Sequence, residues 1–313
     1  MATYTTLDRR NIDRLLDNYD VGNVVDFKPL AGGKANSSIV IATPRGRFVL
    51  SVCDEKNSDE IGRLASVLEY LHEHGFPTTR IIRTRSAGQQ IEYEGKPVYL
   101  KEYIEGTVEE PLTVAMVQQV GGCLARLHTI PPHPGLLTCF SYGIESFHEV
   151  TEMEPPDDFA VWLRSRAGRI ADGCREDLPR GFIHGDLFAD NMLFSGNTLV
   201  AVLDFEEACS YYLLFDLGMC ATGCCTVDGH FSKTLAAALI SGYQSIRKLE
   251  PLERQLFQLY VEYGAMATSF WRYRQYNMRF PKVGHSGLYK EMLHLAEQVH
   301  GIPQDAFQRK VFG

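Results

Sequence analysis

Between stretches that read as helices, the middle of the chain carries a short strand-rich island whose polar residues stand where packing alone would call for apolar ones. It runs Phe182-Ile183-His184-Gly185-Asp186-Leu187-Phe188-Ala189-Asp190-Asn191, through a strand pair turning at Ser195 to Asn197, to Leu203-Asp204-Phe205-Glu206. Asp186 and Asn191 fall on a loop, and Asp204 follows the apolar strand TLVAVL. Oxygen-bearing side chains that converge at the ends of two adjacent strands suit a hard cation such as Mg2+, which keeps waters and takes few protein ligands.

The rest of the chain divides by the period of its apolar residues. A helix is predicted over residues 7 to 19, with Ile12, Leu15, Leu16 and Tyr19 on one face. Strand-like runs follow in VVDFKPL, NSSIVIAT and GRFVLSV, the last two joined by a hairpin turn at Pro44, Arg45 and Gly46. Residues 58 to 74 repeat Ile61, Leu64, Ala65, Leu68 and Leu71 at helical spacing and stop at Gly75. QQIEYEG and KPVYLKEYI read as two more strands, with Glu94 and Gly95 in the turn. Beyond residue 103 the character changes, and residues 113 to 129, 155 to 173, 231 to 247, 251 to 277 and 286 to 299 read as helices. The expected architecture is α+β and bilobal. A small antiparallel-sheet lobe over 1–103 contains one internal helix, and a larger, mostly helical lobe spans 104–313. Their junction near Glu102 to Gly106 is where a ligand cleft is expected.

Charge limits the partners. Lysine and arginine total 31 against 39 aspartates and glutamates, for a net charge of −8. That balance argues against nucleic acid or an anionic membrane as partner, while leaving room for a small anion at a local site. The first sixteen residues hold several charges and no apolar run of signal-peptide type, and no stretch of eighteen apolar residues occurs, so a cytoplasmic location is expected. The 8 cysteines lie mostly in apolar stretches, where free thiols pack as small hydrophobes. Cys220, Cys224 and Cys225 lack the paired spacing and nearby histidines of a metal site.

His-Gly-Asp-x-x-x-x-Asn, followed by an apolar strand and Asp-Phe, resembles the catalytic and metal loops of the protein-kinase-like fold. The spelling is that of its small-molecule branch, the aminoglycoside phosphotransferase and choline kinase superfamily. LARLH at 124 to 128 and Phe215-Asp216-Leu217-Gly218 resemble further segments of that superfamily in order and spacing. The resemblance implies ATP and Mg2+ as cofactors and a small-molecule alcohol as phosphoryl acceptor. On this pattern Asp186 accepts the proton of the acceptor hydroxyl, and Asn191 and Asp204 hold the metal. His184 supports the loop and Asp216 braces it from below. The nucleotide would meet a phosphate-covering loop at Gly32, Gly33, Lys34 and Ser37, and a hinge at Lys101, Glu102, Tyr103 and Ile104 whose backbone binds adenine. The strand after the covering loop should carry a phosphate-binding lysine and has Ser51 instead. Lys34 and Lys56 are the nearest replacement cations, and Glu60 or Glu69 stands where the lysine's helical partner would be.

Within the superfamily, Leu178-Pro179-Arg180-Gly181-Phe182-Ile183-His184 leading into Asp186-Leu187-Phe188-x-Asp190-Asn191 resembles bacterial type II homoserine kinases, and Ser51 fits that branch. Asp204-Phe205-Glu206 is closer to choline kinases, and Ala221 to Cys225 departs from the homoserine branch. Homoserine is therefore the leading acceptor, with choline, ethanolamine, an aminoglycoside or another amino alcohol as alternatives. A nucleotide-binding pseudokinase is the distant reading, motivated by Ser51. An amino-acid acceptor needs an arginine for its carboxylate, and Arg272, Arg274 and Arg279 are available. A choline-type amine calls for an aromatic cage, toward which Trp271, Tyr273, Tyr276 and Tyr211 are candidates. An aminoglycoside calls for carboxylates, such as Asp190, Glu206, Glu207 and Asp228.

Overall fold

The computed structural model of the protein describes residues 5–30, 36–281 and 284–313. Its N-terminal part follows the order α1 (Arg9–Leu16), β1 (Asp26–Pro29), β2 (Asn36–Thr43), β3 (Gly46–Cys53), α2 (Ser58–Glu73), β4 (Ile81–Ile82), β5 (Ile91–Tyr93) and β6 (Lys96–Glu102). Period-two apolar residues make the sheet: Ile39 faces Leu50, Leu50 faces Leu100, and Val52 faces Val98. These residues share one buried cluster with Ile12, Leu15, Leu16 and Tyr19, the stripe that makes α1 amphipathic. The strands are antiparallel in the order β1-β2-β3-β6-β4, with β5 paired to β6. The β5–β6 turn uses Glu94 and Gly95, both at positive φ, as a tight hairpin requires.

The remainder comprises α3 (Val114–Thr129), α4 (His148–Thr151), α5 (Asp158–Gly173), β7 (Arg180–Ile183), β8 (Met192–Ser195), β9 (Thr198–Val202), β10 (Cys209–Tyr212) and α6 (Leu213–Cys224). It continues through β11 (Thr226–Val227), β12 (His230–Phe231), α7 (Lys233–Gln244), α8 (Pro251–Tyr273), α9 (Tyr289–Gly301) and α10 (Gln304–Val311). The helix expected over 251 to 277 is α-helical only to Tyr273 and widens into a π-helical segment, Arg274–Arg279. Helices pack as α3 on α7, α6 on α8 and α8 on α9. Cys220, Cys224 and Cys225 are buried, whereas Cys139 is exposed.

Two compact units result. One is Met1–Gly106 with Ala201–Leu203, and the other is Thr107–Val200 with Asp204–Gly313. The sequence places the junction after residue 103 and does not anticipate the return of 201–203 to the first unit, where the Val202 N–H donates to the Pro77 carbonyl at 2.8 Å. No helix among the described residues is long and apolar enough to cross a membrane.

Candidate active site

The loop from His184 to Asn191 leaves β7, which pairs antiparallel with β10, and enters β8 through a short 3-10 turn, Ala189–Asn191. Its start is clamped from below. Asp216, in the first turn of α6, accepts the backbone N–H groups of His184 at 2.7 Å and Gly185 at 2.8 Å. The same carboxylate meets His128 Nε2 at 3.1 Å, and His128 Nδ1 meets the Tyr243 hydroxyl at 2.7 Å. Burial pushes the Asp216 carboxyl upward, but the His128 bond, the charges around it and the Gly185 N–H outweigh this and hold it below the usual carboxylate range. Gly185 makes the clamp possible. Its φ is +86°, and a Cβ there would lie 2.8 Å from both the Glu207 carbonyl oxygen and the Phe140 ring.

Asp186 is half-buried and follows this clamp directly. Its N–H donates to Nδ1 of the buried His184 at 3.2 Å, and the His184 ring packs 4.6 Å from that of Phe205. Asn191 Nδ2 donates to the Asp186 carbonyl at 2.8 Å, closing the loop on itself and leaving the amide oxygen to offer to a ligand. Burial first, then the charges of Asp204, Glu207 and Asp190, push the Asp186 carboxyl up to about 7, and a hydrogen bond from Tyr142 pulls it partly back. Three of the four named influences of charge or burial on this group thus come from other carboxylates.

Asp204 stands at the end of β9 with φ +60°, a left-handed conformation that costs a non-glycine residue about 1–2 kcal/mol. Such strain concentrates where a side chain has to be aimed. Glu206 and Glu207 occupy the 3-10 turn that follows, and Ser141 Oγ hydrogen-bonds the Glu207 carboxylate. Asp190 is exposed on the loop. The oxygen donors Asp204 and Asn191, amid carboxylates whose charges act on Asp186, fit a hard cation held by few protein ligands. No cluster of three or more His, Cys, Asp or Glu side chains suited to a metal occurs among the described residues.

The acceptor candidates separate. Trp271 is half-buried, its ring 6.4 Å from Tyr142 and 6.0 Å from Tyr276. Arg272 turns instead to α9, binding Glu291 at 2.6 Å and the Leu288 carbonyl at 3.2 Å. Arg274 is buried and binds Glu149 at 2.8 Å and the Ser141 carbonyl at 3.3 Å, while Arg279 reaches the same Glu149 at 3.6 Å. Tyr211 is a fully buried core residue, hydrogen-bonded to Glu145 and Tyr263. Asp228 belongs to the β11–β12 turn.

The nucleotide candidates lie in the first unit. Gly32, Gly33 and Lys34 fall outside the described residues. Ser37 Oγ donates to Asp54 at 2.7 Å and accepts the Thr5 N–H at 2.9 Å. Ser51 is fully buried and shares a 2.9 Å hydrogen bond with Ser38, its neighbour across β2 and β3. Neither helical glutamate faces a strand lysine: Glu60 caps the N-terminus of α2 and Glu69 binds Arg83 and Gln89. Along the hinge, Lys101 Nζ lies over the Tyr99 ring at 5.6 Å, and Tyr103 stacks under the Arg47 guanidinium at 3.9 Å. The Glu102 N–H and C=O are taken by Arg80 and Thr79, and the Tyr103 N–H by Arg47. The Ile104 N–H has no hydrogen-bond partner among the described residues.

Sequence reasoning missed Ser141 and Tyr142 altogether. They lie in an irregular segment with no apolar period, and only the fold carries them to Glu207 and to the Gly185 carbonyl.

Residues 26–249 match the model of a phosphotransferase enzyme family. A homoserine kinase of Pseudomonas aeruginosa (strain LESB58) is 30% identical over 266 residues, covering 82% of this chain and 83% of the relative. One from Caulobacter vibrioides (strain NA1000 / CB15N) is 28% identical over 275 residues, covering 85% and 87%. Among solved structures, an amicoumacin kinase bound to AMP-PNP and Ca2+ superposes with a TM-score of 0.72 at 12% identity, over 95% of both chains. A microcompartment-associated aminopropanol kinase gives 0.71 at 18% identity, over 96% of this chain and 99% of that one. With the clamped aspartate loop, the strained Asp204 and a family match over most of its length, the chain belongs to the phosphotransferase enzyme family, the small-molecule branch of the kinase-like fold.

Proposed function

We propose that the protein transfers the γ-phosphoryl group of ATP, taken as its Mg2+ complex, to the hydroxyl of a small amino-bearing alcohol, homoserine foremost. The first unit is assigned the nucleotide, through the Gly32–Gly33–Lys34 loop and the Ile104 N–H. The second unit is assigned the chemistry and the acceptor. The observation that carries the reading is the half-buried Asp186, set on a loop clamped by Asp216. Its pKa of about 7 gives it a proton affinity suited to a base working near neutral pH.

Asn191 and Asp204 are the residues that would hold Mg2+, and the bound ion would offset the charge of the nucleotide phosphates. Asp186 orients the acceptor hydroxyl and takes its proton. His184 and Asp216 keep the loop in place by binding backbone rather than reactants.

One observation favours a second acceptor class. Arg272, Arg274 and Arg279 are each already paired with Glu291 or Glu149, whereas the charges acting most strongly on Asp186 are carboxylates. That balance favours an amino alcohol without a carboxylate, such as 3-aminopropanol, because the arginines considered for a homoserine carboxylate are already paired.

Coupled ADP release across homoserine, 3-aminopropanol, ethanolamine, choline and an aminoglycoside, with Asp186→Asn as the blank, tests both. Turnover on one amino-bearing alcohol is expected, with a loss of roughly 10²- to 10⁴-fold in kcat for Asp186→Asn. Near-normal turnover by that variant removes the assigned role. Exclusive use of an aminoglycoside removes the small-acceptor reading and leaves the kinase one.

A further inference from the structure

Arg247 and Tyr243 stand at the far end of a hydrogen-bond chain that finishes on the catalytic loop. A Cβ on Gly242 or Gly121 would run into the facing backbone, so α7 and α3 meet closely enough for Tyr243 to reach His128. The Tyr243 hydroxyl lies 2.7 Å from His128 Nδ1, and His128 Nε2 lies 3.1 Å from the Asp216 carboxylate that binds the His184 and Gly185 amides. Beyond Tyr243, Arg247 Nη1 donates to the phenol oxygen at 3.2 Å. Its guanidinium is itself fixed by two bonds to Glu253 of α8, at 2.9 and 3.1 Å. Tyr243, Asp216 and Glu253 are fully buried, and His128 is 7% exposed.

On the reading that Asp186 is the base, we propose that Tyr243 and Arg247 are positioning residues for the reaction: Arg247 donates to Tyr243, Tyr243 donates to Nδ1 of His128, and Nε2–H of His128 donates to Asp216, which holds the loop. The direction follows from the one group whose role is fixed. A guanidinium only donates, so the Tyr243 oxygen accepts from Arg247. The phenol proton then has one other partner among the described residues, His128 Nδ1. That nitrogen offers a lone pair, which puts the imidazole proton on Nε2, facing a carboxylate that takes it as a donor. The ring is thus held at both nitrogens, and Asp216 keeps its oxygens on the His184 and Gly185 amides. Burial holds the Tyr243 hydroxyl above the ordinary phenol range against the Arg247 charge, so it remains a donor.

Nitrogen NMR of the imidazoles in the parent at neutral pH tests the direction, with His128 assigned by the signals lost in His128→Gln. The expected signature is a protonated Nε2 and an unprotonated, hydrogen-bonded Nδ1, and a proton found on Nδ1 overturns the proposal. Tyr243→Phe keeps the ring and removes the hydroxyl. Arg247→Met combined with Glu253→Gln removes the donor behind it without leaving a buried charge unpaired. Kinetics by coupled ADP release are run on whichever acceptor in the panel above turns over best. Both variants should lower kcat by about 5- to 50-fold with both KM values within about threefold, because a displaced base slows the chemical step rather than binding. Tyr243→Phe added to Asp216→Asn should be no slower than Asp216→Asn alone, since the chain acts through that carboxylate. Tyr260→Phe is the structural control. It loses a buried hydroxyl bonded to the Gly173 carbonyl, and should lower Tm while leaving kcat unchanged. A kcat within twofold of the parent in either variant, a loss matched by Tyr260→Phe, or one that multiplies with that of Asp216→Asn overturns the proposal while the base reading stands. Near-normal turnover by Asp186→Asn, or none on the whole panel, overturns the base reading and the proposal together.

Discussion

At the scale of single residues, the aspartate loop is held at its start by one buried carboxylate. Asp216 spends its oxygens on the His184 and Gly185 amides and on His128, so the loop backbone is held by a charge that water does not reach. Folding lowers the pKa of this acid. Its contribution to stability is whole above the unfolded carboxylate pKa of about 4 and is withdrawn as pH falls through the lower native value. The unfolding free energy should therefore drop more steeply between about pH 5 and 3 in the parent than in Asp216→Asn, as read from urea denaturation at each pH. Parallel pH profiles for the two proteins would show that Asp216 binds its proton equally in both states. The identity and spacing of Asp186, Asn191, Asp204 and Asp216 were readable from the sequence, because each follows a strand or opens a helix within a few residues of a turn. The partners of Arg272 and Arg274 were not, because Glu291 and Glu149 lie 19 and 125 residues away. Nothing local distinguishes an arginine that faces a ligand from one that faces a glutamate on another helix.

At the scale of elements, period was a reliable guide wherever a segment had one wet face. Helices α2 and α3 appear with boundaries within about two residues of the expected ones, as amphipathic spacing and capping residues specify. Helix α6 went unread for the opposite reason: nearly every residue from Leu213 to Cys224 is buried, so no polar face marks its turn. The β11–β12 hairpin turns at Asp228-Gly229, both at positive φ, and is too short for its alternation to register. Helix contacts depend on glycine in one place above all. A Cβ on Gly242 of α7 would lie 1.8 Å from the Gln118 carbonyl oxygen of α3, and one on Gly121 would lie 2.1 Å from the Leu239 carbonyl oxygen. Gly242→Ala should destabilise the protein by about 1–3 kcal/mol or more through forced separation of the two helices. Gly168→Ala on α5, where a Cβ meets nothing within 4 Å, should be neutral or stabilising by up to about 1 kcal/mol. Urea midpoints of the two variants check this, and equal effects would remove the close-contact explanation.

At the scale of the whole molecule, an excess of acid is reconciled with a phosphate-bearing ligand if the ligand arrives with a metal. The net charge is −8, and the charges of Asp204, Glu207 and Asp190 act together on Asp186. ATP with Mg2+ should raise Tm, with a stabilisation of about 2.7 kcal/mol at a hundredfold excess over Kd. ATP with a chelator should raise it far less, and Asp204→Ala should abolish the difference. Equal stabilisation with and without metal in a thermal-shift titration would remove Asp204 from its assigned role. By itself, the sequence determined the α+β order, the acidic loop with its following strand and the kinase-like spelling. Those depend on backbone geometry over neighbouring residues, which a periodic pattern encodes directly. The tertiary structure alone decided that the Tyr142 hydroxyl meets the Gly185 carbonyl from 43 residues earlier in the chain, that Ser51 pairs with Ser38 inside the sheet, and that Arg272 and Arg274 are already paired with glutamates. Charge pairing and side-chain aim depend on which distant elements pack together, and that is set by burial of the whole core rather than by any local run of residues.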